Sequence, residues 1–313
     1  MDFSLTTMGT ASARPVANKY PSAHVLKIHG RLFLIDCGEG VQLQLSRYGF
    51  SHVKIDRVFI SHLHGDHLFG CFGLLSTMAL MGRTAPLYIY APGRFSEILA
   101  FFMKHFGEGV VFDIIHVPLT STAPEIVFEG RSVEVSAFSL NHRIETFGFL
   151  FKEKEPARNI RKWKIESDNL TLSEIGTLKR GEDVVRADGE VLKVEDFTYI
   201  PYKGRSMAFC SDTAPFPELA SYIRGVDLLY HEATFAEDLV DMARKTFHST
   251  GAQAATVALE AGVGRMVIGH FSSRYRDPDV ILKEAQAIFP ATELAREGMK
   301  FDIPLVRYPA EAK

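Results

Sequence analysis

The sequence predicts an α+β fold: a sandwich of β-sheets with helices on its outer faces and a polar arm projecting from it. Three observations carry this expectation. Short β-rich runs fill the first third of the chain with helices interspersed rather than in strict alternation, which favours packed sheets over a pure α/β wind. Three later apolar runs each stop at a residue that could serve a site. Residues 152–205 are polar, poor in apolar repeats and broken by the turn pairs Arg180-Gly181 and Asp188-Gly189, the pattern of an insertion.

Taken in order, residues 3–7, 23–28 and 31–36 read as strands, the last two joined through His29-Gly30 as a hairpin. A helix is expected over 39–45, then a buried strand over 57–60 that runs into a histidine cluster. The helix expected over 68–81 is apolar on most faces and so should pack on a sheet. Strands follow over 87–90, 114–117 and 132–138, with a helix over 96–105. Strands over 206–210, 226–230 and 265–269 come after the arm. Helices fit 251–261, with Ser249 and Thr250 as candidate caps, and 277–288.

At 313 residues the chain can bury a substantial core. Its three cysteines, Cys37, Cys71 and Cys210, are odd in number and widely spaced, so they do not form a disulfide framework and a reducing cytoplasm is the expected compartment. The first residues enter strand-like sequence with no export signal. The apolar stretch from Cys71 to Met81 is interrupted and well short of the roughly 18 residues of a membrane span. A net charge of -3 excludes a global basic field, so contact with a polyanion has to come from a local patch.

The densest chemical signal is Ser61-His62-Leu63-His64-Gly65-Asp66-His67, directly after an apolar strand. Three imidazoles and a carboxylate in six residues cannot all enter a core unpartnered. A divalent cation is the partner that suits them, zinc first and manganese or iron next; a solvated histidine-rich loop is the plain alternative. His-x-His at a strand end aims two rings into one space, and Gly65 permits the tight backbone before Asp66-His67. Further candidates are Asn141-His142, Asp212 after Phe209-Cys210-Ser211, and His270 after Val267-Ile268-Gly269. Taken singly, each of these histidines reads as readily as a structural hydrogen-bonding residue.

The pattern H-x-H-x-D-H resembles the signature of the metallo-β-lactamase superfamily, which implies an αββα sandwich with metals at one edge. The resemblance implies that His62, His64 and His142 hold one ion, that Asp66, His67 and His270 hold a second, and that Asp212 bridges them. Two such ions can share a hydroxide at near-neutral pH, which is hydrolytic chemistry. Asp36, in Leu34-Ile35-Asp36-Cys37-Gly38-Glu39-Gly40, is a candidate to support the metal loop, or else a simple strand-end turn.

More specific segments resemble the ribonuclease Z family over nearly the whole chain: residues 34–40, the histidine cluster, Leu178-Lys179-Arg180-Gly181-Glu182-Asp183, His231-Glu232-Ala233-Thr234-Phe235, His248-Ser249-Thr250 and Gly269-His270-Phe271-Ser272-Ser273-Arg274-Tyr275. The resemblance implies a single domain over 1–313 with 152–205 as an inserted tRNA-binding arm. It also implies an endoribonuclease carrying two zinc ions per subunit, with manganese as the substitute, whose bridging hydroxide attacks a phosphodiester to cut the 3′ trailer from precursor tRNA. Asp66 would then hold metal and manage the hydroxide proton, and His248 would protonate the leaving oxygen unless it is only a helix-start histidine. Glu232 is a candidate to orient His248, and Arg274 to neutralise a phosphate oxygen, with an ordinary ion pair and a surface arginine as the respective alternatives.

From 152 to 164 six basic residues, among them Lys162 and Lys164, stand against two acidic ones, with Trp163 available for stacking; that suits an RNA backbone, or a solvated face. A homodimer is the expected assembly by the same resemblance. Two segments depart from the family pattern: Pro15-Val16-Ala17-Asn18-Lys19-Tyr20 replaces P-x-K-x-R-N, and Ser173-Glu174-Ile175-Gly176 lacks a Gly-Pro pair. The competing readings are a two-zinc phosphodiesterase or arylsulfatase acting on small esters, and an RNA-binding module with a structural metal site. An intact ligand set with a spare acid argues against the latter, since structural sites are closed.

Overall fold

The computed structural model describes residues 1–308 apart from 15 and 18, so Pro15 and Asn18 of the divergent early loop lie outside the described residues. The chain divides into two compact units. The first comprises Met1–Glu129, Val135–Phe151 and Ser206–Ile303; the second comprises Gly130–Glu134, Lys152–Arg205 and the chain from Pro304.

The first sheet is built from β1 (Phe3–Gly9), β2 (Ala23–Ile28), β3 (Arg31–Cys37), β4 (Ile55–Phe59), β5 (Leu87–Pro92) and β6 (Ile114–Leu119). The chain then forms β7 (Glu125–Glu129), β8 (Val133–Ser139) and β9 (Phe147–Glu153). Four two-residue strands follow, β10 (Asn159–Ile160), β11 (Val184–Val185), β12 (Val191–Leu192) and β13 (Thr198–Tyr199). It returns through β14 (Ser206–Cys210), β15 (Leu228–Glu232), β16 (Met266–Gly269) and β17 (Thr292–Leu294) to β18 (Lys300–Asp302). The two large sheets run β18-β1-β2-β3-β4-β5-β6 and β17-β16-β15-β14-β9-β8-β7. Ile28 pairs with Arg31 across a two-residue turn in which His29 and Gly30 have φ of 50° and 80°, the left-handed pair that a tight hairpin requires.

Period-two patterning explains the layers. On β3, Leu32 and Leu34 join the cluster packed beneath Val41, Leu74, Phe95 and Phe102, whereas Phe33 turns the other way. There Phe33 and Phe59 meet Phe151, at ring separations of 6.0 and 5.3 Å, and Phe59 also meets Phe149 at 5.3 Å. Further along the same seam, His24 lies 4.5 Å from Tyr230, which stacks on Phe209 at 4.6 Å. Each such ring pair contributes on the order of 1 kcal/mol beyond its burial. The outer face of the second sheet is covered by the helices Gly251–Ala261 and Asp279–Ile288 through Ala254, Ala258, Ile281 and Ala285. The architecture is an αββα sandwich.

Several elements differ from expectation. The first helix, α1 (Val41–Arg47), starts later than residue 39, because Gly40 precedes it at φ 81°. The single helix expected over 68–81 is two, α2 (Gly65–Leu68) and α3 (Gly70–Leu80), meeting at Phe69. Strand β15 extends to Glu232 rather than stopping at 230. Strand β9, between the strand read over 132–138 and the arm, has no counterpart in the sequence reading, and its Phe147, Phe149 and Phe151 are buried.

The second unit has its own small core of Ile160, Leu170, Leu178, Leu192, Val194 and Phe197. Its helix over Leu172–Lys179 starts on a capping box, with Thr171 accepting from the Glu174 N–H and the Glu174 carboxylate accepting in return. It also draws in residues beyond 152–205, through Lys154 N–H to Ser132 O at 3.0 Å and Lys203 N–H to Val306 O at 3.1 Å. Within it, Arg205 grips Glu153 through two side-chain bonds of 2.9 and 2.7 Å in a buried pair.

Candidate metal centre

Both sheets bring the carboxyl ends of parallel strands to one edge. In the first sheet β3 and β4 are parallel neighbours; the one ends at Asp36-Cys37 and the other leads into His62, His64 and, through α2, Asp66 and His67. In the second, β14, β15 and β16 run parallel and deliver Asp212, Glu232 and His270. His142 comes from the loop between β8 and β9. The Ser61 hydroxyl donates to Ser211 Oγ at 3.0 Å, tying the two sheet ends together beside the site. Asp36 and His270, both non-glycine, have φ of 56° and 61°, a conformation that such residues hold only when their surroundings fix it.

All seven predicted ligands converge, in two sets. His62, His64, His142 and Asp212 present ligand atoms within 4.8 Å of one another, as do Asp66, His67 and His270. In the first set, His62 Nε2 is 2.9 Å and His142 Nε2 3.4 Å from His64 Nδ1, and Asp212 Oδ2 lies 3.6 Å from His62 Nε2. In the second, His67 Nε2 and His270 Nε2 are 3.3 Å apart, and each is 3.4 Å from Asp66 Oδ2. Asp212 Oδ1 faces this set, at 3.5 Å from His67 and 3.4 Å from His270, yet it is buried without a hydrogen bond. A tetrahedral ion with bonds of about 2.0–2.1 Å has ligand-to-ligand edges of roughly 3.3–3.4 Å. The spacing and the orphaned oxygen both fit metal ions shared across Asp212.

The outer partners fix the ring tautomers. His67 Nδ1 donates to Asp36 Oδ2 at 2.7 Å, and His142 Nδ1 donates to Phe247 O at 2.9 Å, so each ring is held with its Nε2 facing the centre. His270 Nδ1 lies 3.0 Å from Thr234 Oγ1, which donates in turn to Glu232 Oε2 at 2.8 Å. Asp36 also accepts from Ser61 N–H at 2.8 Å and from the Ser22 hydroxyl at 3.0 Å. Of these, only the Asp36 support was weighed from sequence. Thr234 stands in the segment already singled out, whereas Ser22 and the Phe247 carbonyl carry no local signal.

The buried carboxylates and imidazoles shift one another's ionisation. Burial works against charge on Asp212, but His270 and His67 outweigh it and hold its carboxyl well below the usual range. Burial likewise disfavours a proton on His67, yet Asp212, Asp36 and Asp66 raise its pKa well above the ordinary histidine value. Burial dominates at His62, His64 and His142, all of which are lowered and so are neutral, ligand-competent imidazoles.

Next to this cluster, His248 Nδ1 donates to Glu232 Oε1 at 3.0 Å. Glu232 is fully buried and also accepts from the N–H groups of Thr213, Thr234 and Ser249. Burial opposes charge on His248, but Glu232 and Asp212 prevail and lift its pKa to about 9. A cavity of about 690 Å³ opens over the cluster, lined among others by His64, Asp66, Phe69, His248 and Arg274. Arg274 Nη1 lies 3.5 Å from Ser272 Oγ. Lys162 and Lys164 belong to the second unit, on the helix Lys162–Ser167. Lys164 Nζ is 3.6 Å from Asp168 and lies over the Phe197 and Trp163 rings.

The fold and this edge site define a hydrolase of the metallo-β-lactamase fold. The structure is similar to a metallo-β-lactamase fold protein, YhfI, from Bacillus subtilis (TM-score 0.69, 18% identity, covering 96% of this chain and 100% of that one). It is also similar to the short form of human tRNase Z (TM-score 0.69, 27% identity, 96% and 99% covered). A family model described as anti-Pycsar protein Apyc1 matches residues 3–102. Ribonuclease Z of Bacteroides fragilis is 42% identical over 297 residues, spanning 95% of this chain and 98% of its own. That of Cytophaga hutchinsonii is 46% identical over 302 residues, 96% of each. The chain belongs to the ribonuclease Z family and is an endoribonuclease.

Proposed function

We propose that this enzyme cuts the 3′ trailer from precursor tRNA, leaving a tRNA 3′-hydroxyl and a 5′-phosphorylated trailer, with two zinc ions as cofactor. His62, His64 and His142 would hold one ion and Asp66, His67 and His270 the other, with Asp212 between them. The observation that carries the reading is that the two oxygens of Asp212 each face a different ligand set. Nitrogen and oxygen donors at tetrahedral spacing favour zinc. When bound, the ions would activate a water and polarise the phosphodiester.

The protein's own groups supply the rest. Asp66, held ionised by His67 and His270 against its burial, is available to accept the proton of the attacking water. As the bond from phosphorus to the 3′-oxygen breaks, His248 delivers a proton from Nε2 to that oxygen, its Nδ1 anchored on Glu232. Its pKa of about 9 keeps it loaded at neutral pH. Arg274 on the cavity wall pairs with a non-bridging phosphate oxygen. Lys162, Lys164 and the partly exposed Trp163 bind the RNA backbone through the arm. The reading extends to a homodimer in the cytoplasm, with the three buried free cysteines in keeping with a reducing compartment.

The test is incubation of purified protein with labelled precursor tRNA. Products ending in a 3′-hydroxyl at the discriminator base support the reading. An untouched precursor alongside a hydrolysed small phosphodiester would replace it with a small-ester phosphodiesterase.

A further inference from the structure

Phe69 is 64% exposed on the wall of the metal cavity, a position that contributes little to folding. It follows the ligand loop directly, at the junction of α2 and α3, where its N–H bonds to Gly65 O at 2.9 Å. The ring rests on Gly65 so closely that a Cβ there would stand 2.4 Å from its Cε2. Helical backbone and the glycine fix one side of the ring, and the rest is left open to the cavity. A large apolar ring beside His64, Asp66 and Arg274 gains from its place only when something with a π-face or apolar surface covers it.

A phosphodiester seated at the metal cluster carries a nucleoside on each side, and aromatic side chains bind unpaired bases by stacking, whatever their sequence. We propose that Phe69 is the stacking platform for a nucleobase flanking the scissile phosphate. The inference rests on the RNA-cleaving reading above. Gly65 belongs to it: a side chain at that position would push the ring off its seat.

The experiment compares Phe69→Ala, Phe69→Leu and Phe69→Trp with the wild type. The substrates are an intact precursor tRNA and two versions carrying one abasic nucleotide, on either side of the cleavage point. Cleavage of the intact precursor by the wild type tests the earlier reading before any variant is used, and its failure takes down both. Given cleavage, Phe69→Ala and Phe69→Leu should lower kcat/KM by about 5- to 150-fold, the span of base–aromatic stacking, and Phe69→Trp should preserve it. The penalty should vanish on one abasic substrate, where the wild type has already lost the stacked base. Wild-type behaviour of Phe69→Leu, or an equal penalty on all three substrates, would overturn the inference. So would a loss of bound zinc by elemental analysis in Phe69→Ala, which would make the ring a prop for the ligand loop.

Discussion

Replacing Asp36 by Asn tests how far the ligand geometry is set from behind. Asn keeps the shape of Asp and tolerates the left-handed backbone found at φ 56°, so the substitution isolates charge and acceptor capacity. The Asn oxygen can still accept from Ser61 N–H, now 2.8 Å from Oδ1, but the amide NH2 then faces His67 Nδ1, now 2.7 Å from Oδ2. Two donors cannot share that contact. His67 has to move its proton to Nε2, the atom that faces His270 and Asp212, and that lone pair is lost. Loss of such an outer partner weakens metal binding by roughly 10- to 100-fold, or about 1.4–2.7 kcal/mol. On the proposed ligand assignment, the loss should fall on the ion of Asp66, His67 and His270, leaving the other site near wild type. Competition with a chromophoric chelator, read as two affinities, measures this. A variant that binds two ions per chain with unaltered affinities would refute the tautomer argument.

The same geometry bears on four further measurements. His248→Ala should lower kcat by about 10²- to 10⁴-fold with full metal content by elemental analysis. Because the pKa of His248 is raised from 6.5 to about 9, its proton is fully in place below about 6.5 and is lost as pH rises through 9; kcat/KM should fall on that alkaline limb, and Glu232→Gln should move the limb toward neutrality. Gly70→Ala would set a methyl 2.0 Å from Gly38 O and 3.0 Å from Cys37 O, both backbone atoms, so urea unfolding should show a loss of about 1–3 kcal/mol; wild-type stability would show that these segments yield. Lys162→Ala should reduce the salt dependence of precursor cleavage by about one phosphate contact, and Lys164→Ala by less, since Lys164 already shares its charge with Asp168; a larger effect at Lys164 would contradict this ordering.

The parts of the molecule legible in the sequence are those whose signal is local. Four ligands in six residues after an apolar strand announce a metal loop, and the strand ends at Asp212 and His270 are readable because buried parallel strands are continuous apolar runs. The supporting groups are not readable, since the partners lie far apart in sequence: Asp36 is 31 residues from His67 and Phe247 is 105 from His142. Strand β9 carries no assignment from the sequence; its Gly148 gives room to the Phe138 ring, 2.4 Å from where a Cβ would stand. The arm looks like a polar insertion because its core is only a handful of side chains. Its helix start was nonetheless written in Thr171-Leu172-Ser173-Glu174, the spacing of a capping box. Just past the junction of α2 and α3, Gly70 stands against Gly38, a tertiary contact that no periodicity reports.

The ligand atoms hang from two different β-layers, with His62, His64, Asp66 and His67 on one and His142, Asp212 and His270 on the other. Any cation gripping both groups acts as a clasp across the sandwich, opposite in character to the aromatic seam that glues the same layers along their interior. Occupancy and folding are therefore linked. A bound cation would add to the cohesion of the layers with the logarithm of its concentration over the dissociation constant, so a chelator should lower the stability of the fold as well as the activity.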